Sequence, residues 1–207
     1  MHARSTILRA EPVAIDDGIA AVEQDVMSAL QQLDGFVGLS LMVDRQSGRC
    51  IATSAWESQD TMRRSADEVG PVRDRAAERF RGRIENVQEW EIAVLHRIAN
   101  VGKEGCARVS WMTTDPGRMD RAVDAFEVSA LPRIEQLDGF CSASMLVDRS
   151  AGMCVSSVAY RNREMLDRTR SAADGLRTEV AKQFDGEILE VAEFELPVAH
   201  LRVPEMA

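Results

Sequence analysis

The chain states one pattern twice. Residues 3–96 align without a gap to residues 107–200, each position recurring 104 places later. Leu33-Asp34-Gly35-Phe36 returns as Leu137-Asp138-Gly139-Phe140, and Val43-Asp44-Arg45 as Val147-Asp148-Arg149. Phe80, Gly82 and His96 return as Phe184, Gly186 and His200. A chain of 207 residues divided in this way reads as two small domains, 1–96 and 106–200, with a linker at 97–105 and a tail at 201–207. A lone domain of that size leaves much apolar surface in water. The pattern therefore predicts that the halves pack as a pseudo-twofold pair. An intrachain pseudo-dimer of this kind removes the need for a homodimer without forbidding one.

Each repeat has the same element pattern. A strand covers Arg4 to Arg9. Asp16 or Asp17 caps a helix whose buried stripe is Ile19, Val22, Val26, Leu30 and Leu33, and Gly35 stops it. In the second repeat the stripe is Met119, Val123, Phe126, Ala130, Ile134 and Leu137, and Pro132 is expected to kink or split the helix. Two strands follow, Phe36 to Asp44 and Cys50 to Glu57, joined by a tight turn through Gly48 and, in the second repeat, Gly152. Alternation puts Val37, Leu39, Leu41 and Val43 on one face of the first of these and Phe36, Gly38, Ser40 and Met42 on the other. Neither face is strongly polar, so both are covered. A second helix runs from Ser58 or Asp60 to about Val69, breaks at Gly70-Pro71 and resumes to Phe80. A last strand covers Ile84 to Leu95. The order β-α-β-β-α-β is the ferredoxin-like arrangement. The fold class is α+β: two tandem ferredoxin-like repeats packed sheet to sheet as an intrachain dimeric α+β barrel.

Composition narrows the partners. The formal net charge of −9 repels phosphate backbones, which argues against nucleic acid. No apolar run is long enough to span a bilayer, so no membrane is expected. Met1 to Thr6 opens directly on repeat material with no signal-peptide pattern, which reads as cytoplasmic. Cys50, Cys106, Cys141 and Cys154 lack C-x-x-C spacing and read as reduced, buried thiols.

The topology, the Leu-Asp-Gly-Phe helix end and Ser54-Ala55-Trp56-Glu57-Ser58 resemble the dimeric α+β barrel superfamily, in its antibiotic-biosynthesis-monooxygenase-like branch. There a strand typically ends in Trp-Glu-Ser and leads into the second helix. The resemblance covers both repeats. It implies a pocket between helices and sheet in each unit. It also implies relatives that include cofactor-independent monooxygenases of phenols or quinols and heme-degrading enzymes. Two departures stand out. Where the branch often carries His, nine residues after the Trp, this chain has Ser65 and Thr169. The Asn that heme-degrading members use on the first strand is missing from Arg4–Arg9 and from Arg108–Met112.

Candidate site residues follow. Trp56 and Tyr160 end equivalent strands and are placed to stack on a flat ligand or to plug the core. Phe36, Met42, Phe140 and Leu146 flank them, and Trp111 stands where the first repeat has Ile7. Cys50 and Cys154 share the strand face of Trp56 and Tyr160. Glu89 and Glu91 return as Glu193 and Glu195. They can hold a hard cation, act as a base, or pair across strands with Arg4 and Arg108. His96 and His200 end the last strands without a third ligand by spacing, so no metal is expected there, and the leading reading needs no cofactor. The leading reading is a barrel that binds a small apolar or aromatic molecule and, if catalytic, oxygenates an electron-rich ring. The alternatives are a non-catalytic ligand-binding or stress-response module, and a heme-binding protein using a single His.

Overall fold

The computed structural model describes residues 1–201, so the expected tail lies, from position 202 on, outside the described residues. Strand β1 (His2–Arg9) leads into α1 (Ile15–Ala21), a π-helical turn (Val22–Val26) and α2 (Met27–Leu30). Strands β2 (Phe36–Asp44) and β3 (Arg49–Trp56) form the hairpin. Helices α3 (Gln59–Arg64) and α4 (Ala66–Arg79) and strand β4 (Arg83–Arg97) complete the repeat. The second repeat is β5 (Cys106–Thr113), α5 (Met119–Asp124), a π-helical turn (Ala125–Ala130) and α6 (Leu131–Ile134). It continues with β6 (Phe140–Asp148), β7 (Met153–Tyr160), α7 (Arg163–Arg168), α8 (Arg170–Gln183) and β8 (Glu187–Leu201).

Among the described residues eight strands form one antiparallel barrel in the order β1-β3-β2-β8-β5-β7-β6-β4. The chain divides into two compact units whose limits differ from those of the repeats. One comprises Met1–Trp90 and the end of β8 from Leu196, the other Glu91–Glu195. Strand length is the reason. β4 and β8 have 15 residues each, about 50 Å at roughly 3.3 Å per residue, and each gives its first part to one unit and its last part to the other.

Each unit buries its helices on one face of its strands. In the first, Leu8, Val22, Leu30, Leu39, Leu41, Val43 and Phe80 share a core. In the second, the equivalent Met112, Phe126, Ile134, Ala143, Met145, Val147 and Phe184 do so. No helix among the described residues is long and apolar enough to cross a membrane.

Three local features depart from the sequence pattern. First, β2 carries a bulge between Phe36 and Gly38, and β6 one between Phe140 and Ser142. An extra residue resets the alternation. Phe36 therefore packs with Leu39 and Leu41 on the helix side, and Met42 is left on the opposite face. Phe140 and Leu146 are divided in the same way.

Second, Pro132 does not break the first helix of its repeat. The interruption is the π-helical turn over Ala125–Ala130, and the first repeat has the same turn over Val22–Val26 with no proline. Pro132 sits in the first turn of α6, where a missing N–H is harmless.

Third, the second helix breaks at Ser65 rather than at Gly70-Pro71, which lies inside α4. The second repeat has Asp174-Gly175 there and breaks at the equivalent Thr169. The cause is a buried arginine that takes a carbonyl from the end of the shorter helix.

The hairpin turns depend on glycine. Gly48 and Gly152 have φ of +74° and +65°. A Cβ on Gly152 would lie 2.1 Å from the Thr114 carbonyl oxygen, whereas nothing lies within 4 Å of one on Gly175. Gly152→Ala is expected to destabilise the fold by about 1–3 kcal/mol or more. Gly175→Ala, in a helix interior, is expected to stabilise it by about 0.5–1 kcal/mol. Urea unfolding of both variants checks the pair, and equal effects would contradict the turn geometry.

Candidate helix–sheet site

One arginine organises each unit. Arg4 on β1 is 6% exposed and Arg108 on β5 only 3%. A guanidinium this deep needs acceptors for its donors. Arg108 donates to the Leu166 carbonyl at 2.7 Å and to Glu193 Oε1 at 3.0 and 3.1 Å, and it reaches Thr169 Oγ1 at 3.4 Å. Arg4 makes the same set in the first unit: the Met62 carbonyl at 2.8 Å, Glu89 at 3.1 Å and Ser65 Oγ at 3.5 Å. Ser65 and Thr169 also donate back to the Met62 and Leu166 carbonyls, at 2.7 and 2.9 Å. These carbonyls sit at the ends of α3 and α7. Turned toward the arginine, they fix the helix break described above.

Glu89 and Glu193 are thus cross-strand partners of arginines. Arg63 adds to Glu89, and Arg163 and Arg170 add to Glu193. Partial burial acts to raise the pKa of Glu89, but the hydrogen bonds and charges of Arg4 and Arg63 outweigh it. They hold the carboxyl below the usual range. Glu91 is gripped by Arg149 at 2.7 and 3.0 Å. Glu195 is half-buried. The four carboxylates do not form a cation site: among the described residues no three His, Cys, Asp or Glu side chains could hold a metal ion.

Between helices and sheet each unit contains a small cavity, about 50 Å³ in the first and about 60 Å³ in the second. Their walls are equivalent. Arg4, Thr6, Leu8, Val22, Val26, Leu30, Val72, Arg73 and Ala76 line one. Arg108, Ser110, Met112, Phe126, Ala130, Ile134, Leu176, Arg177 and Val180 line the other. The π-helical turn contributes to both walls, and π-turns recur at functional sites. Tyr160 lines the second cavity, with the Arg108 guanidinium 5.7 Å from its ring centre.

Of the residues singled out from the sequence, Arg4, Arg108 and Tyr160 reach these cavities. Trp56 does not line one. It is fully buried, donates to Ser54 Oγ at 3.0 Å and packs edge-on against Phe36. Phe140 packs in the core and stacks with His96. Met42, Leu146 and Trp111 lie outside the two walls, Trp111 packing edge-on to Phe194. All four cysteines are buried and free. Burial pushes Cys50 and Cys154 up to about 12, which leaves them un-nucleophilic thiols at neutral pH.

The residues that sequence reasoning missed are Arg73 and Arg177. Their signal was present: an identical arginine interrupts the apolar stripe Val69, Val72, Ala76, Phe80 and its equivalent Ala173, Leu176, Val180, Phe184.

Fold and site together define an eight-stranded antiparallel α+β barrel with one helix–sheet cavity in each unit. A candidate monooxygenase of Lactobacillus acidophilus shares this fold at a TM-score of 0.69 and 9% identity, over 97% of this chain and 96% of that one. A ferredoxin-fold protein of Listeria monocytogenes related to antibiotic biosynthesis monooxygenases does so at 0.51 and 6%, over 100% and 97%. A heme-binding protein of Thermus thermophilus does so at 0.55 and 10%, over 94% and 90%. These are likenesses of fold. The chain belongs to the family of Rv2558 and Rv2557, two uncharacterized proteins of Mycobacterium tuberculosis. It is 48% identical to Rv2558 over 207 residues, all of this chain and 87% of that protein. It is 47% identical to Rv2557 over 206 residues, 92% of that protein. No family model matches the chain.

The arginine network carries two expectations. Glu193→Ala leaves a buried guanidinium short of its counter-charge and is expected to cost about 3–5 kcal/mol. Arg108→Met leaves Glu193 with Arg163 and Arg170 and the Leu166 carbonyl with Thr169, and is expected to cost clearly less. Denaturant unfolding of both variants measures the order, and the reverse order would refute it. Glu89, held below its ordinary value near 4.3, contributes stability that is complete above that pH and lost as pH falls through the lower folded value. Unfolding followed between pH 6 and pH 2 is expected to show a shallower acid loss in Glu89→Gln than in the native chain.

Proposed function

We propose that the protein binds a small apolar or aromatic molecule in its helix–sheet cavities. One observation carries this reading: both units have a cavity at the same place, between the π-helical turn and the sheet, although most of the lining residues differ between repeats. Filled core would be the cheaper state at both positions. The linings are largely aliphatic, with a few fixed polar groups, which is the pattern of small-molecule sites. At 50–60 Å³ each space holds a few water-sized volumes of roughly 10–15 Å³, so a ring enters only if the first helix moves at its π-turn. Fold neighbours that include a heme-binding protein and a candidate monooxygenase are consistent with a small-molecule ligand.

The polar groups favour binding over catalysis. Among the described residues the cavity walls carry Arg, Ser, Thr and Tyr but no His or carboxylate. Arginine stays protonated, so it can stabilise an anion but cannot remove a proton from a phenol or quinol. The family's His position, taken by Ser65 and Thr169, serves the arginine–carbonyl network instead. Among the described residues neither lining offers heme an axial histidine.

Ligand-observed NMR of the full chain with small alkyl and aromatic compounds is expected to show saturable binding. An oxygen electrode with a panel of quinols is expected to show no uptake above the protein-free blank, and hemin is expected to keep its free Soret band. Protein-dependent oxygen uptake would instead establish a cofactor-independent monooxygenase, and absence of binding by every compound would remove the ligand reading.

A further inference from the structure

We infer that the first repeat is the half that takes the ligand, and that the ligand is a small apolar carboxylic acid whose carboxylate is held by Arg73. This rests on the ligand-binding reading above and names the chemistry of that site.

The two cavities are built alike but their second arginines are not satisfied alike. In the second unit Arg177 donates from Nε to Ser110 Oγ at 2.8 Å and from a terminal nitrogen to Asp174 at 2.8 Å. Thr6 and Gly70 stand at the equivalent positions of the first unit. Arg73 has therefore lost the aspartate altogether. Its Nε is buried and has no hydrogen-bond acceptor among the described residues. It forms an ion pair with Asp74, whose largely exposed Oδ1 lies 3.7 Å away, too far for a hydrogen bond. The Arg73 side chain is 29% exposed, but a buried N–H such as its Nε is unfavourable without an acceptor until one arrives. A carboxylate is the acceptor that matches a guanidinium best.

The units also differ in access. In the second, the π-turn and α6 are tied to α8 by Ser129 donating to Gln183 at 3.0 Å and by Arg133 with Glu179 at 2.9 Å. Asp25 with Arg79, and Ala29 with Arg75, replace these pairs in the first repeat, and an alanine can form no such tie. A groove of about 610 Å³ opens there between the π-turn and α4. It shares Val26, Val72 and Ala76 with the cavity that Arg73 lines. That volume lies within the range of ligand sites. Its rim mixes Arg75 and Arg79 with Asp25 and Glu78, so no net sign steers the ligand. Selection for an acid then falls to Arg73, with the apolar body lying along the shared aliphatic wall.

The test uses the full chain with octanoate and with octanol as probes. Calorimetry is expected to give one octanoate per chain, bound more tightly than octanol. In a proton–nitrogen correlation spectrum of the arginine Nε groups, octanoate is expected to shift Arg73 and leave Arg177 in place. Arg73→Met is expected to weaken octanoate by roughly tenfold or more and to leave octanol unchanged. Thr6→Ser combined with Gly70→Asp rebuilds the acceptors of the second unit, keeps the cation, and is expected to weaken octanoate in the same way. Equal affinity for the two probes, an octanoate shift at Arg177 instead of Arg73, or unchanged octanoate binding in Arg73→Met would overturn the inference while leaving the ligand reading intact. If neither probe binds, the ligand reading and the inference fall together.

Discussion

The interaction on which each unit depends is a buried guanidinium. Arg4 and Arg108 lie at the junction of the first strand, the last strand and the break in the second helix, and each is tied to all three. A buried charge is costly unless it is fully hydrogen-bonded, so its partners are not free to drift. The carbonyl at the end of the short helix, the hydroxyl that follows it and a carboxylate on the neighbouring strand must arrive together. That requirement sets the helix break, the strand register and the inner end of the cavity at once. It also explains why hydroxyl residues stand at positions 65 and 169. Here Ser65 and Thr169 hold the carbonyl and the arginine in position.

A second constraint is the π-helical turn retained in both first helices. Its persistence with and without a nearby proline places its cause in the packing against the sheet. The turn widens the helix where it passes over the cavity. Duplication then allowed the halves to diverge around a shared frame. The second unit has ties across its helices and a satisfied Arg177, whereas the first has a groove and an unmet donor on Arg73. Arg4 and Arg108 and their partners Glu89 and Glu193 are kept in both repeats, whereas most residues lining the cavities differ.

Much of the fold could be read in the chain. The recurrence of Leu-Asp-Gly-Phe announced the duplication, and the helical and alternating patterns announced the element order. Gly35, Gly48, Gly139 and Gly152 all adopt positive φ, as glycines at helix ends and hairpin turns do. The site was less legible. Trp56 and Tyr160 read equally as ligand platforms or core plugs, because bulk and aromatic character read the same in a core as in a pocket. Phe36 and Met42 fell on one face by strict alternation, which a bulge defeated. Gly70-Pro71 looked like a helix break, yet a local preference lost to a long-range hydrogen bond from Arg4.

Periodicity and repetition are local properties of the covalent chain, so the sequence by itself determined the α+β class, the duplication, the turns and the apolar helix faces. Which side chains share a cavity, which carboxylate meets which arginine and which unit each end of β4 and β8 joins depend on residues far apart in the chain. Glu89 meets Arg4 across 85 positions. These pairings follow from three-dimensional packing, because the desolvation of a charge is settled by everything that surrounds it and not by its neighbours in sequence.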